Sequence, residues 1–110
     1  MGNAEIREKV AAKFYFTNKA VEYLGAIWRY TLETWSENQA KIYYDLIIEA
    51  CREITNTPEQ GKTYEVVEKS VLGFKTGQHV IFYGIVAEKE IEILRILHGI
   101  MDITSVQNKI

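Results

Sequence analysis

The strongest constraint on the fold of this chain is a change in the spacing of its apolar residues near Gly61. Before that glycine, apolar side chains recur every three or four positions, as they do along one face of an α-helix. After it, β-branched and aromatic residues run almost continuously over residues 79–86, which favours a buried strand. The only proline, Pro58, lies at this boundary. The spacing therefore predicts helices first and strands second, within an α+β fold.

The helical half is predicted to form a hairpin. Asn18 is expected to cap the first helix, and Ser36, with Gln39 three residues later, to cap a second helix that ends between Asn56 and Gly61. Almost no loop separates the two helices, so they should run antiparallel. The residues predicted to be buried are Val21, Leu24, Ile27, Trp28, Thr31 and Trp35 on the first helix, and Ala40, Tyr43, Tyr44, Ile47, Ile48, Cys51 and Ile54 on the second.

The remaining segments predict strands. Residues 14–17 are aromatic and short, which is typical of an edge strand ahead of the hairpin. Three strands are expected after Gly61, within residues 66–74, 79–86 and 91–98, and the middle one should be central and buried on both faces. Short turns require these three strands to form an antiparallel meander. The whole predicts an N-terminal strand and an antiparallel helical hairpin packed on a small antiparallel β-sheet, a two-layer sandwich.

Composition narrows the classes of function. The 110 residues suit one domain, expected over residues 13–110 with residues 1–12 as an N-terminal extension. A net charge of −2 with no basic patch argues against direct nucleic-acid binding, and one cysteine excludes an internal disulfide. No apolar run is long enough for a signal peptide or a membrane span, so a cytoplasmic location without membrane contact is expected. Two histidines without a carboxylate pattern predict no metal site, and no motif predicts a cofactor.

Six segments, in order and with consistent spacing, resemble the RelE/ParE superfamily of bacterial type II toxins, and its ParE branch in particular. They are residues 16–22, 27–31, 35–40, 58–61, 77–83 and 92–102, and the resemblance covers residues 14–104. It implies the two-layer fold described above and a cognate antitoxin, encoded beside the toxin, that binds and silences it. It also implies a target: the ParE branch poisons DNA gyrase and blocks replication, whereas the RelE branch cuts messenger RNA in the ribosome.

The basic residues favour the ParE branch. RNA cleavage needs positive groups around the scissile phosphate and a group that moves protons. The predicted central strand carries no Lys or Arg, Lys75 lies shortly before it, and Arg95 is the only Lys or Arg of the last predicted strand. Ile100 stands where the family often has arginine. We therefore predict a non-enzymatic gyrase poison without catalytic residues. Two alternatives stay open: a RelE-like ribosome-dependent mRNA endoribonuclease, and a family member of weakened toxicity that acts only as an antitoxin-binding module.

Two sets of contact residues are predicted. Strand side chains alternate between faces, so some apolar residues of the sheet should stay uncovered until a partner binds, and two tyrosines fall off the main helical stripe. The candidates for antitoxin binding are Tyr23, Tyr30, Leu72, Phe74, Leu94 and Ile96. The candidates for target binding or toxicity are Lys75, His79, Tyr83, Arg95, His98, Met101 and Asp102. For the two histidines, ordinary hydrogen bonds at strand ends are the competing interpretation.

Overall fold

A computed structural model describes residues 12–66 and 69–99 of the chain. Two helices pack on one face of a five-stranded sheet, so the predicted α+β two-layer architecture is confirmed. No helix in the described ranges is long and apolar enough to cross a membrane. The elements are β1 (Lys13–Phe16), α1 (Asn18–Thr34), α2 (Glu37–Asn56), a 3-10 turn (Pro58–Gln60), β2 (Lys62–Val66), β3 (Lys69–Thr76), β4 (His79–Ala87) and β5 (Glu90–His98).

The sheet has the order β1-β5-β4-β3-β2. Its last four strands form an antiparallel meander, while β1 pairs parallel with β5, placing Phe14 opposite Ile91. The edge position predicted for the first strand is confirmed. The prediction of three strands after Gly61 was wrong, because residues 62–76 fold into two paired strands, β2 and β3. The sheet is mixed, and not purely antiparallel as predicted, because β1 lies beside β5 and runs parallel to it.

The helix caps are local hydrogen bonds. Thr17, not Asn18, caps α1: its Oγ1 accepts from the Ala20 N–H at 3.1 Å and donates to the Leu94 carbonyl at 3.1 Å. The second bond ties the start of α1 to β5, which is why the cap lies one residue earlier than predicted. The predicted Ser36 cap is confirmed, since Ser36 Oγ accepts from the Gln39 N–H at 3.1 Å.

The core lies between the hairpin and the inner face of the sheet. On α1 the predicted burial is confirmed for Leu24, Ile27 and Thr31, which are buried or packed against the core. Val21 is exposed instead, and the small side chain of Ala20 is fully buried. Trp35, predicted to be buried, is 61% exposed, and Tyr44 is also exposed, with its ring edge-on to Trp28. The fully buried members of the core are Ala20, Ile47, Cys51, Ile54, Ile81, Tyr83, Ile91 and Ile93.

The central strand β4 is buried on both faces only in its first half. Ile81 faces the helices and Phe82 the outer face, whereas Ile85 and Val86 are exposed, so the predicted burial of the whole strand was wrong. On the outer face, Phe82 packs in a second, smaller cluster and meets the ring of Tyr64 edge-on at 5.2 Å between centroids.

Candidate functional site

A groove opens between α1 and the ends of β4 and β5 that lie next to Gln78 and His98. It has a volume of about 530 Å³ and is lined mainly by apolar and aromatic side chains. Its outer rim carries Tyr30 and Trp35, which are 67% and 61% exposed. The lining residues are Tyr23, Ala26, Ile27, Tyr30, Thr31, Trp35, Tyr43, Gln78, His79, Ile96, Leu97 and His98.

One corner of the groove holds most of its polar groups. Tyr43 Oη lies 2.6 Å from His79 Nδ1 and accepts the Gln78 backbone N–H at 2.9 Å. His98 lies directly across the sheet from His79, and the centroids of the two imidazole rings are 5.3 Å apart. Helix α2, the β3–β4 turn and β5 therefore meet at this corner.

A tight turn makes this arrangement possible. Gly77 has φ of +55°, which favours glycine, and a Cβ atom there would lie 2.7 Å from Tyr43 Oη. The turn leads directly into β4 and so positions His79 beside the tyrosine. The Gly99 N–H donates to the Gln78 carbonyl at 2.8 Å and closes the next rung of the ladder.

The groove offers little charge. Its lining includes no Asp, Glu, Lys or Arg. Burial lowers the pKa of His79 below the usual 6.5, and the neighbouring His98 lowers it further, so both effects favour the neutral imidazole. The Thr31 hydroxyl donates to the Ile27 carbonyl within its own helix at 2.8 Å. A surface of this kind suits an apolar or aromatic segment of a protein partner better than a phosphate backbone.

Basic side chains gather instead on the outer face. Lys62 and Lys75 line a second depression of about 450 Å³ with Tyr64, Gln60 and His98. The Lys62 ammonium lies 5.9 Å from the centroid of the Tyr64 ring, within range of a cation–π contact. These two lysines, distant in sequence, lie in one depression because β2 pairs with β3.

The structure separates the predicted target-binding residues. His79 and His98 share the groove corner, and Lys75 is exposed on the outer face. Arg95 is half-buried opposite Phe82, and its guanidinium donates to the Leu94 carbonyl at 2.8 Å. Tyr83 is fully buried, so its side chain does not reach the surface. Met101 and Asp102 lie outside the described residues.

The predicted antitoxin-binding residues also divide. Tyr23 and Tyr30 line the groove, as does Ile96, although Ile96 is almost completely buried. Leu72 and Phe74 face the helices and pack against the main core, whereas Leu94 packs against the smaller cluster on the outer face. The groove thus brings together three predicted antitoxin-binding residues and both histidines of the predicted target-binding set.

Several groove residues were missed from the sequence. The apolar spacing of α1 predicts Trp35 to be buried, but Trp35 lies at the helix C-cap, where the side chain leaves the stripe. Tyr43 is also predicted to be buried, and the sequence gives no sign that the Gln78 N–H contacts it. Ser36, which starts α2, was the available clue that the helical spacing ends at Trp35.

Cys51, the only cysteine of the chain, lies outside the groove lining. Cys51 is fully buried in the core, and burial raises the pKa of its thiol to about 12, so the thiol is not a nucleophile at pH 7. Within residues 12–66 and 69–99, no group of three or more His, Cys, Asp or Glu side chains is close enough to hold a metal ion.

Comparison with known proteins gives consistent matches. Residues 14–103 match the family model described as ParE toxin of type II toxin–antitoxin system, parDE. Toxin ParE1 of Mycobacterium tuberculosis, in strains CDC 1551 and H37Rv, is 24% identical over 94 residues, which cover 86% of this chain and 96% of the relative. Among solved structures, the chromosomal ParDE TA system from P. aeruginosa has a similar fold, with a TM-score of 0.65, 21% identity, and coverage of 78% of this chain and 94% of that one.

Proposed function

This chain belongs to the ParE toxins of type II toxin–antitoxin systems, and from that premise we propose that it arrests growth by binding DNA gyrase. The action proposed is stoichiometric binding, without catalysis, that traps the cleaved-DNA state of gyrase. A cognate antitoxin encoded beside the toxin neutralises it. A toxin that acts by binding recognises both gyrase and the antitoxin through its surface, so the two depressions are the candidate contact surfaces.

We further propose that the antitoxin covers the groove. The observation that carries this is the exposed aromatic rim, Tyr30 and Trp35, around an uncharged apolar lining. Large aromatic side chains at the edge of an apolar cavity are the residues that most often dominate protein–protein binding energy. An amphipathic helix of the antitoxin, laid along α1 with its apolar face in the groove, would cover the rim and the lining together.

The gyrase-binding surface is proposed to lie on the sheet side of the groove. Lys75, Arg95 and His98 are its candidates among the described residues, together with Met101 and Asp102 in the chain that follows β5. His98 lines both depressions, so an antitoxin seated in the groove would approach this surface. Neutralisation would then follow from steric exclusion of gyrase.

The first experiment is growth of a bacterial host under tight induction of the chain, with and without its neighbouring gene, followed by plasmid supercoiling with purified gyrase. Arrest that the neighbour rescues, with gyrase-dependent cleaved or relaxed plasmid, would support the proposal. Arrest with normal supercoiling would contradict the gyrase target. Absence of arrest would favour the antitoxin-binding module, and Ile100→Arg would then test whether the missing arginine is responsible.

The antitoxin site has its own test, which does not depend on gyrase. Replacing Tyr30 and Trp35 by alanine should weaken antitoxin binding by about 30-fold or more, the loss typical of hot-spot residues of about 2 kcal/mol. Tyr15→Ala is the matched control, because Tyr15 is also an exposed aromatic residue but lies on β1, outside the groove lining. The affinity of each variant for the antitoxin is measured by calorimetry. If Tyr30→Ala and Trp35→Ala bind the antitoxin as tightly as Tyr15→Ala and the natural chain do, the antitoxin binds elsewhere.

One observation favours the ribonuclease as a second candidate function. Lys62, Lys75 and His98 line the outer depression, where two ammonium groups would attract a phosphate and an imidazole would move a proton. Message cleavage in a ribosome-dependent assay that is lost in a Lys62→Ala, Lys75→Ala double variant would support this function. Full cleavage by the double variant, or no cleavage by the natural chain, would contradict a ribonuclease function.

A further inference from the structure

The two histidines of the chain are direct neighbours across the sheet. His79 opens β4 and His98 closes β5, and the register pairs them with each other. The adjacent rung is closed by the hydrogen bond from the Gly99 N–H to the Gln78 carbonyl. Hydrogen-bonded and non-hydrogen-bonded pairs alternate in an antiparallel ladder, so His79 and His98 form a non-hydrogen-bonded pair, whose side chains are the closer of the two kinds.

The spacing of the rings matches that of two imidazoles on one metal ion. Imidazole nitrogens bind zinc at about 2.0–2.1 Å, and a tetrahedral angle between two such ligands places the ring centres about 5 Å apart. The observed distance between the centroids is 5.3 Å. The two rings, inclined to each other by 66°, therefore have the separation that two imidazole ligands of one ion require.

Tyr43 supplies the outer contact that a metal-binding histidine usually makes. Histidine ligands commonly donate their second ring N–H to a fixed acceptor, which orients the ring and leaves the other nitrogen for the metal. Tyr43 Oη lies 2.6 Å from His79 Nδ1, and the Gln78 N–H holds the same oxygen at 2.9 Å. With His79 Nδ1–H donating to Tyr43, its Nε2 is the nitrogen available to an ion.

We propose that His79 and His98 form a two-histidine site for a divalent transition-metal ion, at the end of the groove. Imidazole ligands suit Zn²⁺, Cu²⁺ and Ni²⁺ and not Mg²⁺ or Ca²⁺, which prefer oxygen. Within the described ranges no third His, Cys, Asp or Glu joins the pair. The proposal concerns this chain alone and does not depend on gyrase as the target.

The test is calorimetric titration of the full chain, made without a polyhistidine tag, with Zn²⁺ and then with Ni²⁺. One ion per chain is expected, with affinity at least tenfold lower in His98→Gln and in His79→Gln. His98 is exposed, so its variant should fold even if the His79 variant does not. Absence of binding, or binding that His98→Gln leaves unchanged, would overturn the proposal.

A second pair of variants tests the role assigned to Tyr43. Tyr43→Phe removes the oxygen that orients His79 and should weaken zinc binding by about 10–100-fold, the usual cost of losing an outer-shell partner. Tyr44→Phe is the matched control, since Tyr44 is the next residue of α2 and packs against Trp28 instead. Long-range ¹H–¹⁵N spectra of the imidazoles should show zinc shifting His79 Nε2 while Nδ1 keeps its proton. A zinc-induced shift at Nδ1 instead would contradict the geometry.

Discussion

Two tyrosines make the same kind of bridge near opposite ends of α2, in different surroundings. Tyr83 Oη donates to the Pro58 carbonyl at 2.5 Å and accepts from the Gly61 N–H at 3.1 Å, fully buried in the core. Tyr43 Oη accepts from the Gln78 N–H and meets His79, half-buried at the groove. Each lies against a glycine, Gly61 or Gly77, whose Cβ would overlap the phenol oxygen. The difference in burial makes the first bridge structural and leaves the second within reach of a ligand.

The largest loss of folding stability is expected from Tyr83→Phe. The buried Pro58 carbonyl and the half-buried Gly61 N–H would both lose their partner, and an unpaired buried group costs about 1–3 kcal/mol. Unfolding by urea should show a loss of about 3 kcal/mol of stability. A loss below about 1 kcal/mol would mean that water replaces the hydroxyl and that the core is less closed than the structure indicates.

Gly77→Ala should have an intermediate effect. The left-handed conformation at φ of +55° costs an L-residue about 1–2 kcal/mol, and the new Cβ would press on the Tyr43 ring. We expect about 2 kcal/mol of lost stability. Gly84→Ala is the control, since nothing lies within 4 Å of a Cβ at that position. Equal stabilities of the two variants would show that the β3–β4 turn adapts freely.

Tyr43→Phe should cost less than Tyr83→Phe, about 1 kcal/mol, because water at the groove can satisfy the Gln78 N–H. The two phenylalanine variants, unfolded under the same conditions, compare the bridges directly. If Tyr43→Phe proved as damaging as Tyr83→Phe, the groove corner would have to be regarded as part of the core.

The smallest effect expected is a pH dependence that belongs to His79. Burial and the neighbouring His98 lower its pKa in the folded chain, so the unfolded chain binds more protons as the pH falls below 6.5. Stability from this residue is complete above 6.5 and is lost as the pH falls toward the folded pKa. The groups facing His79 are Tyr43 on α2 and His98 on β5. Urea unfolding in EDTA gives the free energy of unfolding at pH 7.5 and at pH 5.5. The decrease between these two pH values should be smaller for His79→Gln than for the natural chain. An equal decrease in both proteins would mean that other groups cause the pH dependence.

The correct predictions concern features that depend on residues close to one another in the sequence. The Ser36 cap and the end of α2 near Pro58 depend on residues close in sequence, and both were predicted correctly. The α1 stripe was right at its centre and wrong at its ends, where hydrophobicity favoured Val21 and Trp35. The close packing of α1 on the sheet selects Ala20 instead, a small residue that carries little hydrophobic signal. The division of residues 62–76 into β2 and β3 was missed because the apolar residues used for that prediction begin only at Val66.

The sequence by itself determined that helices precede the strands of the meander and that the net charge is small, −2, since these depend on spacing and composition. Its six segments also carried the resemblance that identified the family. Only the tertiary structure decided the groove, the depression with the two lysines and the histidine pair. His79 and His98 become neighbours through strand register, and Tyr43 reaches them from α2, which is distant in sequence. Register and helix placement are set by the packing of the whole core, so no local pattern of residues carries that information.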